Sequence, residues 1–172
     1  MFKSVLALSI LLAFAGCQSK QVENNVPSVQ MERKDAAKKL FAQGVLLLQQ
    51  QNLKGAVESF EASIKVDPTD PNPYLILGQI LLKAQQFDQA VTFLDQAAKN
   101  FPNNGAIFYM LSIANRMDGK ILPAVLAARR SFELNKIDGN EEMAKTTAVL
   151  LEELIKEGQE QQKNQEQIIK NK

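Results

Sequence analysis

Histidine and tryptophan are absent from this 172-residue chain, and cysteine occurs once, at Cys17. The absence of histidine excludes histidine-ligated zinc, histidine acid–base catalysis, and nucleophilic sites that pair histidine with serine or cysteine. A lone cysteine has no disulfide partner within the chain. The eight glycines form neither a GxGxxG motif nor a phosphate-binding loop. We therefore predict no metal, no cofactor and no enzymatic activity.

An excess of charge of either sign is also missing. Lysine and arginine total 20 and aspartate and glutamate total 19, so the net charge is +1. This balance gives no electrostatic footprint for nucleic acid, and we predict no nucleic-acid partner. The acidic pairs at 141–142 and 152–153 are adjacent residues on a predicted helix, where neighbours do not converge. We expect them to solvate the surface rather than to form a carboxylate active site.

The first seventeen residues read MFKSVLALSILLAFAGC. Lys3 precedes an apolar or small run from Val5 to Ala15, which is shorter than the roughly 20 apolar residues of a transmembrane helix. This pattern is typical of a signal peptide. An uncleaved anchor, or a secretory signal with a chance cysteine, is the alternative interpretation.

The segment Phe14, Ala15, Gly16 and Cys17 resembles the lipobox of bacterial lipoproteins, although leucine is more usual at the first position. The resemblance implies that residues 1–16 are cleaved off and that Cys17 carries a covalent lipid such as palmitate. Gln18 follows Cys17, in place of the aspartate of an inner-membrane retention signal. In a host with two membranes, the resemblance then implies an outer-membrane lipoprotein whose domain faces the periplasm.

Residues 17–36 are polar after the cysteine, contain Pro27 and show no sustained apolar period. We interpret them as a flexible tether that holds the domain near the membrane. The alternative is a frayed first helix that begins near Met31.

A period of 34 residues dominates the middle of the chain, in copies at 37–70, 71–104 and 105–138. The first two copies align without a gap and share eight identical positions: Gly44/Gly78, Leu47/Leu81, Leu48/Leu82, Gln51/Gln85, Ala56/Ala90, Val57/Val91, Lys65/Lys99 and Pro68/Pro102. Periods of 20–50 residues indicate stacked structural repeats.

Each copy predicts two amphipathic helices. In the second copy, Tyr74, Leu77, Gly78 and Leu81 have the i, i+3, i+4, i+7 spacing of one helix face, and residues 87–97 repeat that rhythm. The small residues at positions such as Gly78 would let the two helices approach closely. Prolines at 68 and 102 end the second helix.

These features resemble the tetratricopeptide repeat (TPR). The positions that carry the match are Leu40, Tyr74 and Phe108; Gly44, Gly78 and Ser112; Ala56, Ala90 and Ala124; Phe60 and Leu94; Ser63, Ala97 and Ser131; and Pro68 and Pro102. Departures occur at Gln43, Asn115, Ala128 and Lys136. The resemblance implies an all-α fold, an α-solenoid of three TPR helix hairpins with a C-terminal capping helix. An irregular helical bundle is the alternative.

Residues 139–158 are assigned to the capping helix, with Asn140 as its N-cap and an apolar stripe that includes Leu150 and Leu154. Gly158 is a natural stop. The polar tail at 159–172 is expected to be disordered or a fraying helix.

In a TPR stack the first helix of each hairpin lines a concave groove. The residues expected to line it here are Lys38, Phe41, Val45 and Leu48 from the first copy, Asn72, Leu75, Gln79, Leu82 and Lys83 from the second, and Ala106, Tyr109, Ile113 and Arg116 from the third. Such an apolar groove usually marks a partner site. Alternatively, these side chains pack against neighbouring helices or a dimer mate. Chaperone-binding TPR domains hold a carboxylate with lysine and asparagine at positions where this chain has Phe41 and Val45, so that clamp is absent.

We therefore predict a non-catalytic adaptor in the bacterial cell envelope that binds another envelope protein or peptide in its groove. It resembles the TPR lipoproteins that act as pilotins for type IV pilus secretins or as accessories to outer-membrane protein assembly. An adaptor for peptidoglycan enzymes and a self-associating structural lipoprotein, for example a homodimer, are the alternatives.

Overall fold

The computed structural model describes residues 26–171, and all regular secondary structure in that range is helical. Its helices are α1 (Val26–Gln49), α2 (Leu53–Val66), α3 (Asn72–Lys83), α4 (Phe87–Asn100), α5 (Gly105–Met117), α6 (Ile121–Ile137) and α7 (Glu141–Lys170). The first six form three successive hairpins, each hairpin packs on the one before it, and α7 packs on α6. The predicted all-α solenoid of three TPR hairpins with a capping helix is confirmed.

Each hairpin closes around positions that lack a bulky side chain. Ala56, Ala90 and Ala124 hold equivalent places in the three copies, and all are fully buried. A Cβ atom added to Gly44 would lie 2.6 Å from Cε1 of Phe60, closer than ordinary atomic contact. The two helices therefore pack at nearly backbone separation, as the sequence predicted.

The turn between the two helices is the same in all three hairpins. Gln51, Gln85 and Gly119 occupy equivalent positions and adopt left-handed φ angles of 60°, 58° and 76°. The next backbone N–H donates to the carbonyl five residues earlier, at 2.8 to 3.0 Å in each copy. This is the Schellman arrangement that satisfies the last carbonyls of a helix. Two of the three copies adopt it with glutamine, although glycine takes this conformation with less strain.

In the first and third hairpins, a buried serine hydrogen-bonds one helix to the other. The hydroxyl of Ser63 donates to the Ala37 carbonyl at 2.9 Å, and the hydroxyl of Ser131 donates to the Gly105 carbonyl at 2.8 Å. The first bond joins the middle of α1 to the last turn of α2, and the second joins the first residue of α5 to the second half of α6. The second copy has Ala97 at this position.

The N-terminal boundary differs from the prediction. Helix α1 begins at Val26, so residues 26–36, which were assigned to a flexible tether, are helical. Residues 29–36 are exposed, so this extension does not depend on packing. Its Gln, Met, Glu, Arg, Lys and Ala residues have high intrinsic helix propensity, which explains the correction. The predicted signal peptide and the lipidation site Cys17 lie outside the described residues.

The C-terminal boundary also differs. Helix α7 passes through Gly158 and ends at Lys170, so the predicted stop at 158 and a disordered tail are wrong, whereas the alternative of a helical tail agrees with the structure. One glycine in a helix costs about 1 kcal/mol, and the run of Gln, Glu and Lys that follows has high helix propensity. Because Lys136 replaces the proline of the earlier copies, α6 also runs for 17 residues, against 14 for α4.

Within residues 26–171, none of the helices combines the length and the apolar character needed to cross a bilayer.

We expect opposite effects from adding one methyl group at two helical glycines. Gly44→Ala should lower the free energy of unfolding by about 1–2 kcal/mol, because the new Cβ must displace the buried Phe60 ring. Gly158→Ala should raise it by up to about 1 kcal/mol, because its Cβ would meet only Ile121 Cγ2, at 3.4 Å. Denaturant unfolding measures both. Equal stability of the Gly44 variant and the parent would show that the hairpin is not closed at backbone contact.

Candidate protein-binding groove

The residues predicted to line the groove all lie on α1, α3 and α5, the first helices of the three hairpins. Four are exposed: Lys38, Asn72, Gln79 and Lys83. The other predicted residues are half-buried, which means that the neighbouring helices cover part of each side chain.

At the junction of the first two hairpins, the predicted residues Phe41, Val45 and Leu48 pack against the buried cluster that contains Phe60, as do Ile76 and Ile80 of α3. The rings of Phe41 and Phe60 are 5.5 Å apart between centroids, in a tilted arrangement. This packing holds the α1 side chains in place and leaves part of their surface open, which suits a preformed binding surface.

A cavity of about 270 Å³ opens at this junction. Its lining comprises Leu48, Leu53, Ile76, Gln79, Ile80, Lys83 and Ala84. The predicted set included Leu48, Gln79 and Lys83, and it missed the others. Ile76 and Ile80 lie one turn apart on the flank of α3 that faces α1. That spacing is visible in the sequence, but the gap between α1 and α3 is not.

At the next junction two of the predicted residues contact the core. Leu75 and Leu82 pack against a buried cluster that includes Leu94, Ile107 and Leu111. At this junction the alternative interpretation applies: these side chains pack against neighbouring helices and do not line an open groove.

In the third copy, α7 packs against the predicted groove residues. Tyr109 and Ile113 pack against the buried cluster that contains Leu150 and Leu154 of α7. The Arg116 guanidinium donates to Glu153 at 2.9 Å and also pairs with Glu157. Hydrogen bonds to Glu157 and Glu153 raise the pKa of Arg116. Arg116 therefore joins α5 to α7, and Glu153 is not the purely solvating residue that was expected.

A second set of ion pairs lies at the junction of the second and third hairpins. Lys120 Nζ is 2.7 Å from Asp118 Oδ2 and 3.8 Å from Asp88 Oδ1. The hydrogen bond to Asp118 raises the pKa of Lys120. In contrast, Lys38 and Lys83 form no ion pair with any described residue. The exposed cations of the groove near the first junction are thus left uncompensated.

Among residues 26–171, no cluster of three or more histidine, cysteine, aspartate or glutamate side chains is arranged to hold a metal ion.

The comparison with protein families agrees with the fold. A model described as "Tetratricopeptide repeat" matches residues 47–112, which span from the end of α1 to the middle of α5. No curated protein matches the sequence. The protein is therefore a TPR solenoid by fold, as its hairpins and turns indicate.

Solved structures with the same fold cover most of the chain at low sequence identity. PcrH of Pseudomonas aeruginosa, in complex with the chaperone binding region of PopD, has a TM-score of 0.65 and 19% identity over 73% of this chain and 95% of its own. SycD, the type III secretion translocator chaperone of Yersinia enterocolitica, has a TM-score of 0.64 and 18% identity over 72% and 95%. The TPR2B domain of yeast Sti1, in a complex with pHsp70, has a TM-score of 0.64 and 17% identity over 71% and 98%. At these identities the likeness shows the fold.

We expect Arg116→Gln to loosen the docking of α7 without unfolding the chain. The pair is partly exposed, so its loss should cost about 1 kcal/mol or less. Amides of α7 between residues 150 and 157 should then exchange with deuterium up to about five-fold faster, because local opening becomes easier. Amides of α2 serve as the internal control. Unchanged exchange in α7 would show that apolar packing alone holds this helix.

Proposed function

We propose that this chain is a non-catalytic adaptor that binds a segment of another protein between its first two hairpins. The observation that carries the proposal is the half-buried apolar surface of α1 and α3 with a 270 Å³ cavity in it. Binding sites of this kind are concave, mostly apolar and largely preformed. A rigid helical repeat can offer such a surface to an extended peptide or to an amphipathic helix.

The fold neighbours support a protein partner. The printed descriptions of two of them name complexes, one with the chaperone binding region of PopD and one with pHsp70. By analogy of fold, we infer that the partner of this chain is likewise a polypeptide rather than a small molecule. The absence of histidine supports a role without catalysis.

We further propose that Cys17 carries a covalent lipid and that the protein is a bacterial envelope lipoprotein, on the outer membrane and facing the periplasm. The support is the sequence Phe14 to Cys17 at the end of an apolar run, with Gln18 after the cysteine. Two or more acyl chains anchor a protein stably, since each buried methylene contributes about 0.8 kcal/mol.

The proposed role is assistance in envelope assembly, such as biogenesis of type IV pilus secretins or of other outer-membrane proteins. Two alternatives remain in the same class, an adaptor for peptidoglycan enzymes and a self-associating structural lipoprotein. The exposed pair Leu122 and Leu126, at 69% and 58% exposure on α6, favours self-association through a surface other than the groove. The identity of a captured partner decides among the three.

We expect a photo-crosslinking amino acid at Gln79 to capture one discrete partner in the native envelope. Gln79 is exposed and lines the cavity, so its replacement leaves the core unchanged. Gln96, exposed on α4, is the matched control. Mass spectrometry of the adduct should identify a secretin or barrel-assembly component.

Each other result has a distinct meaning. A peptidoglycan enzyme in the adduct would favour the first alternative, and a second copy of this chain would favour self-association through the groove rather than through Leu122 and Leu126. Equal adducts from Gln79 and Gln96, or no adduct from Gln79, would contradict the groove as the binding surface.

We expect Cys17→Ser to move the protein from the membrane fraction to the soluble fraction, because the sulfur that accepts the lipid is lost. Ser19→Ala is the matched control and should stay with the membrane. Fractionation with incorporation of labelled palmitate measures both variants. Full membrane retention of Cys17→Ser would refute the lipid anchor.

A further inference from the structure

We propose that the cavity between α1 and α3 takes one large apolar side chain of an acidic peptide segment, with Lys83 binding the carboxylate beside it. This inference rests on the proposed adaptor function and specifies the chemistry of the partner. It concerns a single subsite at the first junction of the solenoid, where the shape and the charge point to the same occupant.

The shape argues for one side chain. The walls include Leu48, Leu53, Ile76 and Ile80, and the volume of about 270 Å³ exceeds the roughly 150 Å³ apolar cavity that can bind benzene. The space therefore accommodates a phenylalanine or leucine side chain. Leu53 is 51% exposed at this site, so an incoming side chain would cover apolar surface that now faces water.

The internal repeat allows the first two junctions to be compared position by position. Leu82, Met110 and Ala114 hold the places, 34 residues later, of three lining residues: Leu48, Ile76 and Ile80. The first two pairs of residues are half-buried at both junctions, but Ala114 is fully buried while Ile80 is half-buried. The third position is therefore closed at the later junction and lines the cavity at the earlier one.

The charges differ between the two junctions in the same way. At the later one, Asp118 and Asp88 surround Lys120. The equivalent positions of the earlier junction are Ala84, Lys54 and Gln86, so both acids and the lysine between them are missing there. Lys83 stands where the later junction has Met117.

Lys83 is part of the cavity lining, with Gln79 one turn earlier on α3. Lys54, on α2, forms no ion pair with Glu58, the acidic residue nearest to it along that helix. An acidic segment supplies the compensating charge that this junction lacks.

The same charge argument disfavours the tail of a second copy as the occupant. Ile168 and Ile169 are exposed at the end of α7 and could fill an apolar space. They are followed by Lys170 and Lys172, which would bring like charge to Lys83. A partner with aspartate or glutamate beside its apolar residue fits both features of the site.

The test uses the full-length protein in detergent micelles and three short fluorescent peptides. The first has a phenylalanine between aspartates, the second a phenylalanine between lysines, and the third an alanine between aspartates. Fluorescence anisotropy should show the first binding at least about ten-fold tighter than the other two, since a factor of ten corresponds to about 1.4 kcal/mol.

Charge variants locate the binding. Lys83→Glu should lower the affinity for the first peptide by about ten-fold. Ala84→Asp, which introduces the acid found at the equivalent position Asp118, should lower it by the same factor. Lys163→Glu, on the exposed end of α7, makes the same charge change as Lys83→Glu and should leave affinity unchanged. Circular dichroism checks that helical content is retained in all three.

Tighter or equal binding of the lysine peptide, no binding of any peptide, or full affinity in Lys83→Glu would overturn the proposal. These results are separable from failure of the adaptor function. If Gln79 still captures a partner in the envelope while Lys83→Glu has no effect, the adaptor stands and this subsite does not. If the acidic peptide binds as expected but Gln79 captures nothing, the adaptor function fails instead.

Discussion

The close approach of the two helices in each hairpin is the constraint on which the solenoid depends. Gly44 faces the ring of Phe60, and Gly78 faces Leu94, at distances that leave no space for a Cβ atom. Alanine at the facing position of each second helix, such as Ala56, is fully buried. Because close packing transmits small changes in geometry, the spacing of the hairpins determines how the surface between them opens.

Differences among the copies, rather than the shared pattern, give the molecule its individual surface. The third copy loses the proline at Lys136, which lengthens α6 and shifts the start of α7. Helix α7 then covers Tyr109 and Ile113 and binds Arg116 through two glutamates. The part of the predicted groove that α7 leaves uncovered therefore lies near the N-terminal end, on α1 and α3.

The 34-residue period was sufficient to predict the helices, their pairing and the small residues between them, because these depend on local spacing and recur in each copy. The sequence did not show that Gln51 and Gln85 adopt a left-handed turn, since glycine is the usual signal and only Gly119 carries it. The sequence also predicted a larger open groove than the structure has, because the exposure of Leu75 and Arg116 depends on the distance to the next helix. The helix beyond Gly158 was missed because one glycine was given more weight than the helix formers after it.

The early start of α1 sets the reach of the groove if Cys17 is lipidated as proposed. Only nine residue steps separate Cys17 from Val26, so that stretch spans at most about 30 Å, roughly half of what a tether running to the first repeat would allow. The helical residues 26–36 then act as a stiff spacer of about 16 Å. Under that proposal, the first repeat would lie no farther than about 46 Å from the lipidated residue. The partners within reach would then be proteins that expose their recognition segment close to the membrane.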